Sequence, residues 1–140
     1  MYNVELAEQL LKMLGYGPVA RPTAPYWPLE RGIRQTQRDA LVGELGLEPS
    51  SPWLFLHAGS GGSAVNLTPA QYAELAVKID AQLAAQGISS QWLLTAGPGE
   101  ETTAQALRDS LLTKNLQATV LPPRQNLGDF ALTLAAADLF

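Results

Sequence analysis

From Ser50 onward, short apolar runs alternate with helix-forming segments, and that order leaves few folds open. Trp53 to His57, Gln91 to Thr95 and Ala118 to Leu121 each have the length and character of a strand. Pro69 to Gln86 carries Tyr72, Leu75, Ala76, Ile79 and Leu83 on one helical stripe, with Gly87 just past its end. Further helices are expected over Glu100 to Thr113 and Leu127 to Ala137, and Asp138-Leu-Phe140 reads as the opening of a fourth strand. Strands that alternate with helices are joined by right-handed crossovers and therefore run parallel in one sheet covered by helices. The expected class is α/β. No repeat of solenoid period and no low-complexity tract interrupts the pattern.

The loop after the first strand is the most informative single segment. Gly59-Ser60-Gly61-Gly62-Ser63 lets the main chain take positive φ and lets a ligand approach the amides, while two hydroxyls add donors. Such a loop suits phosphate or sugar hydroxyls. It is not a P-loop, because no lysine lies between Gly59 and Pro69 to hold the β- and γ-phosphates. Gly59-Ser-Gly61-Gly-Ser-Ala64 formally meets the dinucleotide fingerprint, yet there the helix must open inside the glycines. Here it opens later: Thr68 suits the N-cap, Pro69 the first helical position, and Gln71 completes a capping box. The strand Gln91–Thr95 also ends without the acid that takes a ribose hydroxyl in the NAD pattern.

Four ordered blocks carry a family resemblance. They are His57-Ala-Gly59-Ser60, Asn66-Leu-Thr68-Pro69-Ala-Gln-Tyr72, Leu93-Leu-Thr95-Ala-Gly97-Pro-Gly99-Glu100-Glu101 and Leu127-Gly-Asp-Phe-Ala-Leu-Thr-Leu-Ala-Ala-Ala-Asp138-Leu-Phe140. Together they resemble the heptosyltransferase family, glycosyltransferase family 9, over about Met1 to Phe140. The resemblance implies a Rossmann-like parallel sheet with flanking helices, the first half of the C-terminal, nucleotide-sugar-binding domain of a GT-B enzyme. It also implies sugar transfer, a heptose from an ADP donor, to a lipid-linked, lipopolysaccharide-type acceptor by direct displacement at the anomeric carbon. No obligate metal or other cofactor is implied, and no covalent enzyme intermediate. The family continues past the equivalent of Phe140 into a diphosphate-holding Asp-Thr-Gly loop, and its catalytic base lies in an N-terminal domain preceding Met1. The expectation is therefore a fragment that transfers no sugar alone. The competing reading is a non-catalytic nucleotide-binding or scaffolding α/β module.

Two regions are expected, a helical and proline-rich interdomain connector over 1–50 and the partial nucleotide-sugar domain over 51–140. In the connector, Asn3 can cap a helix bearing Val4, Ala7, Leu10, Leu11 and Leu14, ended by Gly15. Four prolines between Gly17 and Pro28 make the adjoining stretch stiff and extended. A second helix is expected from Thr36 to Leu45, opened by Thr36-x-x-Asp39 and ended by Gly46. The chain has 140 residues, no cysteine, one histidine and a net charge of −4. Disulfides and thiolate metal sites are excluded, no metal site is expected, and the acidic balance argues against a nucleic-acid surface. With no apolar run near ~18 residues and no charged-then-apolar start, a cytoplasmic protein is expected, peripheral at the inner membrane face if its acceptor is a lipid.

The candidate donor-binding residues are Gly59, Ser60, Gly61, Gly62, Ser63, Thr68, Gly97, Glu100 and Glu101; no catalytic residue is assigned. The glycine loop is read as donor cradle or plain solvent-exposed connection. The family often carries a lysine before the following helix, where Val65 and Asn66 stand here, so phosphate charge falls to the helix start at Thr68. The resemblance implies that an acid after the second strand bonds the ribose hydroxyls, with Glu100 ahead of Glu101; an acid there also simply suits a helix start. His57 reads first as a packed strand-end residue and second as a donor to a phosphate or sugar oxygen. Arg31, Arg34 and Arg38 read as a solvated basic face before an anionic-lipid contact. Trp53 and Trp92 are expected in the core, and Tyr26 and Trp27 over a domain interface.

Overall fold

The computed structural model describes residues 2–18, 30, 32–59 and 67–140. The chain divides into two compact units, Met1–Glu30 and Arg31–Phe140. The first contains α1, Tyr2–Met13, whose end is turned by Gly15 at φ 81°. Asn3, expected as its cap, lies inside the helix. The expectations for Tyr26, Trp27, Arg31 and the proline-rich stretch fall outside the described residues.

The second unit is a Rossmann-like α/β fold. Its elements follow the order α2 (Ile33–Leu45), β1 (Trp53–His57), α3 (Pro69–Ala84), β2 (Gln91–Thr95), α4 (Glu101–Leu112), β3 (Ala118–Val120) and α5 (Leu127–Leu134). The three strands form a parallel sheet in the order β1-β2-β3, with Trp53 opposite Gln91 and His57 opposite Thr95. On the free side of β1, Leu139 forms a parallel bridge with Leu54, and the Phe55 N–H donates to the Leu139 carbonyl at 2.8 Å. The short fourth strand piece is thus present, and it lies beyond β1 rather than beyond β3. Strand progression runs one way through β1, β2 and β3, then doubles back across β1.

That reversal explains the two-sided packing. Successive right-handed crossovers in one direction put α3 and α4 on one face, and the return places α5 on the other. Leu54, Trp92, Leu94 and Ala118 pack with Ala73, Ala76, Leu107 and Leu111 on the first face. Trp53, Phe55, Leu93 and Leu121 pack with Leu41, Leu47 and Ala136 on the second. Both faces bury apolar residues, so the strands read as continuous apolar runs rather than alternating ones. Trp53 and Trp92 are buried as expected. Leu75, expected on the buried stripe of α3, is exposed, and Ala73 takes the inward place. A small residue there lets the helix lie close to the sheet.

Helix ends follow local chemistry. Thr68 caps α3, accepting from the Gln71 N–H at 3.3 Å while its own N–H donates to Gln71 Oε1 at 2.9 Å. α2 starts three residues before its expected Thr36: Gly32 takes the N-cap position at φ 87° with no side-chain cap. The Thr36 hydroxyl instead donates back to the Gly32 carbonyl, and Asp39 accepts from Gln35. Gly46 ends α2 at φ 66°, as expected.

Arg38 is not part of a solvated basic face. Its side chain is 11% exposed, and its guanidinium stacks 3.9 Å over the Trp53 ring. It donates to the carbonyls of Ala136, Pro49 and Ser51 and to Asp138 Oδ2, at 3.0–3.1 Å. Asp138 also pairs with Arg34 and accepts the Trp53 N–H at 2.8 Å. Burial pushes the Asp138 carboxyl up. The Trp53 N–H, the Arg38 hydrogen bond and the charges of Arg38 and Arg34 outweigh that and hold it below its ordinary 3.8. This clamp fastens the Leu139 strand piece beside β1.

Candidate functional site

A parallel sheet whose strand order reverses opens a crevice at the carboxyl ends of the strands on either side of the reversal. Here that position is the end of β1, at His57, Ala58 and Gly59. The neighbouring β2 ends at Thr95 and turns through Ala96, Gly97 and Gly99 into α4. The parallel register puts both exits on one edge.

Glu100 joins the two exits. It stands at the N-cap position of α4 but makes no side-chain cap to its own helix. Its carboxylate turns back instead, and Oε2 accepts the Gly97 N–H at 2.9 Å. The same carboxylate lies against Gly59 so closely that a Cβ at that position would stand 1.7 Å from Oε2 and 2.0 Å from Cδ. At Gly97 a Cβ would stand 2.7 Å from Oε2. A Cβ at either position would displace the carboxylate, which gives these two positions a steric reason independent of backbone φ. Glu101 lies at the rim, where Oε1 accepts the Gly99 N–H at 3.3 Å.

His57 approaches the cradle from the end of β1. Its Nε2 is 3.5 Å from Glu100 Oε2, and its Nδ1 is 2.9 Å from the hydroxyl of Thr95. Phe130 of α5 meets the imidazole edge-on, with ring centroids 6.1 Å apart. The side chains of His57 and Glu100 are 26% and 17% exposed, so the pair is sheltered yet reachable. Thr95 is buried. A carboxylate offers two acceptor oxygens, and carboxylates accept hydroxyls well.

The structure thus gathers Gly59, Gly97 and Glu100 into one place and adds His57. Glu101 borders it. Thr68 is committed to the α3 cap, where its hydroxyl engages Gln71. Ser60, Gly61, Gly62 and Ser63 lie outside the described residues. Thr95 and Phe130 were not singled out from sequence. Thr95 could have been found by aligning the two strand ends in parallel register, which sets it beside His57; Phe130 carries no comparable signal. Two grooves of about 410 and 470 Å³, one between α2 and α5 and one along α1, contain no residue of the cradle. Among the described residues no three His, Asp or Glu side chains gather to hold a metal ion, and no helix is long and apolar enough to cross a membrane.

No family model matches the chain, and no solved structure matches it. The chain is similar to a protein of Haemophilus influenzae named "Putative glycosyltransferase", with 39% identity over 139 residues. The match covers 99% of this chain and 38% of that protein, so the chain spans little more than a third of its relative's length.

Proposed function

We propose that this chain is the donor-binding part of a glycosyltransferase of the heptosyltransferase family, taking an ADP-sugar, a heptose donor, for transfer to a lipopolysaccharide-type acceptor. The observation that carries the proposal is the Glu100 carboxylate held between Gly59 and Gly97 at the carboxyl edge, beside the reversal of strand order. An acid so placed suits the vicinal hydroxyls of a ribose, and the 39% identity to the Haemophilus influenzae protein supports glycosyl transfer as the general chemistry.

In that reaction an acceptor hydroxyl attacks the anomeric carbon, the bond from that carbon to the diphosphate oxygen breaks, and the nucleoside diphosphate leaves. A base takes the hydroxyl proton. Glu100 binds and orients the nucleoside end, and no residue of this chain is assigned the base. Transfer itself belongs to the longer polypeptide in this reading, and the 140-residue chain is expected to bind a donor weakly and transfer nothing. A lipid acceptor places the working protein against the inner face of a membrane.

Saturation-transfer NMR and calorimetric titration with ADP test the reading. ADP is expected to bind weakly, and Glu100→Ala to weaken it roughly tenfold to a hundredfold, the worth of hydrogen bonds to a charged group. Absence of ADP binding, or binding indifferent to Glu100→Ala, overturns the proposal and leaves a scaffolding module.

A further inference from the structure

Arg124 leaves β3 through Pro122 and Pro123, whose fixed φ angles present it stiffly. Two residues on, Asn126 caps α5, accepting the Asp129 N–H and donating to Asp129 Oδ2, both at 2.9 Å. The guanidinium held between these rigid points is poorly used. Its side chain is only 23% exposed, yet Nε is buried with no hydrogen-bond partner among the described residues. Both terminal nitrogens share one oxygen, Glu44 Oε2 at the end of α2, at 3.5 and 3.4 Å. A well-made arginine–carboxylate pair instead forms two shorter, parallel bonds to two oxygens. Native proteins leave few buried donors unpaired, and a bound molecule is one way such bonding is completed.

Arg124 and Glu44 stand in the wall of the groove of about 410 Å³ between α2 and α5, a volume in the range of small-molecule sites. Ala40 and Leu132 give the groove an apolar side, and Gln37, Gln125 and Asp129 add polar groups. Charge narrows the occupant. One guanidinium and two carboxylates leave the lining net negative, which disfavours a phosphate or carboxylate. An ammonium, in turn, has no lone pair to offer Arg124. A hydroxyl serves both: it accepts from the guanidinium and donates to Glu44, and the two glutamine amides can each donate and accept. We infer that the α2–α5 groove binds a neutral carbohydrate, whose neighbouring hydroxyls bridge Arg124 and Glu44 while its C–H face lies on Ala40 and Leu132. The occupant is a plain glycoside rather than a nucleotide sugar, because a diphosphate would bring negative charge against Glu44 and Asp129. The groove contains no residue of the Glu100 cradle, so the inference stands apart from the donor-site reading above.

The test follows the Arg124 Nε–H resonance by NMR in the full 140-residue chain, assigned by its loss in Arg124→Lys. The probes are the methyl glycosides of glucose, mannose and galactose, with inorganic phosphate and ADP-glucose for comparison. At least one glycoside is expected to shift the resonance saturably, with a dissociation constant of roughly millimolar order, since each new bond replaces one to water. Phosphate is expected to leave it unmoved, and ADP-glucose to act no more tightly than methyl glucoside. Glu44→Gln, at an exposed position of α2, is expected to weaken the glycoside roughly threefold to tenfold by removing the charged acceptor. Gln125→Ala, also exposed, serves as a second variant that leaves the Arg124–Glu44 pair in place, and it is expected to weaken the same glycoside. A merely structural pair would lower the melting temperature in Glu44→Gln with glycoside affinity intact. An Nε–H resonance indifferent to all three glycosides, a saturable shift by phosphate, tighter action of ADP-glucose, or unchanged affinity in both variants overturns the inference. Failure of ADP to bind at the cradle overturns the donor-site reading alone, because the Nε–H resonance reports on the groove independently.

Discussion

Replacing Gly59 with alanine puts a methyl group where the Glu100 carboxylate already sits. The added Cβ would lie 1.7 Å from Oε2, 2.0 Å from Cδ and 2.3 Å from Oε1. Because the carboxylate is the far end of a flexible side chain, it yields before the backbone does. The cost is then the loss of what the carboxylate was doing: a charged hydrogen bond from the Gly97 N–H and the contact with His57. At about 1.5–3 kcal/mol for such a bond, Gly59→Ala is expected to lower the melting temperature by about 4–8 °C. Gly59 does not need the left-handed region, so alanine itself introduces no backbone strain. In a Glu100→Ala background the same methyl should therefore cost nothing, or even stabilise by ~0.4–1 kcal/mol through the unfolded chain. Urea unfolding of the two single variants and the double variant measures the coupling, expected at about 1.5–3 kcal/mol. Additivity within ~0.5 kcal/mol would refute the reasoning, since the two positions would then not share space.

Other expectations concern the clamp and a helix start. Arg38→Lys should destabilise by about 1–3 kcal/mol in chemical unfolding, because an ammonium cannot stack on Trp53 and reach four acceptors at once. Retention of full stability would show the guanidinium to be dispensable. Asp138 is held below its ordinary 3.8, so its contribution is complete above that value and is lost as pH falls through the lower native value. Melting curves below about pH 4 should accordingly be flatter for Asp138→Asn than for the parent; parallel curves would contradict the sign. Thr68→Ala should cost ~1 kcal/mol of stability, read by thermal melting, and an unchanged melting temperature would remove the cap from the account of α3.

What was legible in the sequence was chiefly what local chemistry decides. The runs Trp53–His57 and Gln91–Thr95 are strands to the residue, and the start of α3 follows from Thr68, Pro69 and Gln71, neighbours whose bonds to one another are made within four residues. The same kind of local signal misled at α2. Thr36 and Asp39 match a capping box, but a threonine hydroxyl can also bond a carbonyl four residues back inside a helix, as it does to Gly32. Arg38 shows the opposite limit. Nothing near it in sequence distinguishes it from a surface arginine, because its partner Asp138 lies 100 residues away. Glu100 stands between these cases: its place after Gly97-Pro98-Gly99 was readable, whereas the reason both Gly59 and Gly97 lack a Cβ appears only when two loops meet.

The clamp around Asp138 also has a kinetic meaning. β1, α3, β2, α4 and β3 are linked by contacts between elements one or two places apart in sequence, the β1–β2 pairing closing over 38 residues. Fastening Leu139 beside β1 instead requires Arg34 and Arg38 to meet Asp138 across separations of 104 and 100 residues. Loop-closure entropy sets such contacts late on the folding path, after the β1-β2-β3 layer has formed. Contacts made after the rate-limiting step affect mainly how fast the native state opens. The far side of the crevice at the end of β1 is thus built last and released first, and the refolding and unfolding limbs of Asp138→Asn, followed separately, would display that order as faster unfolding at an unchanged folding rate.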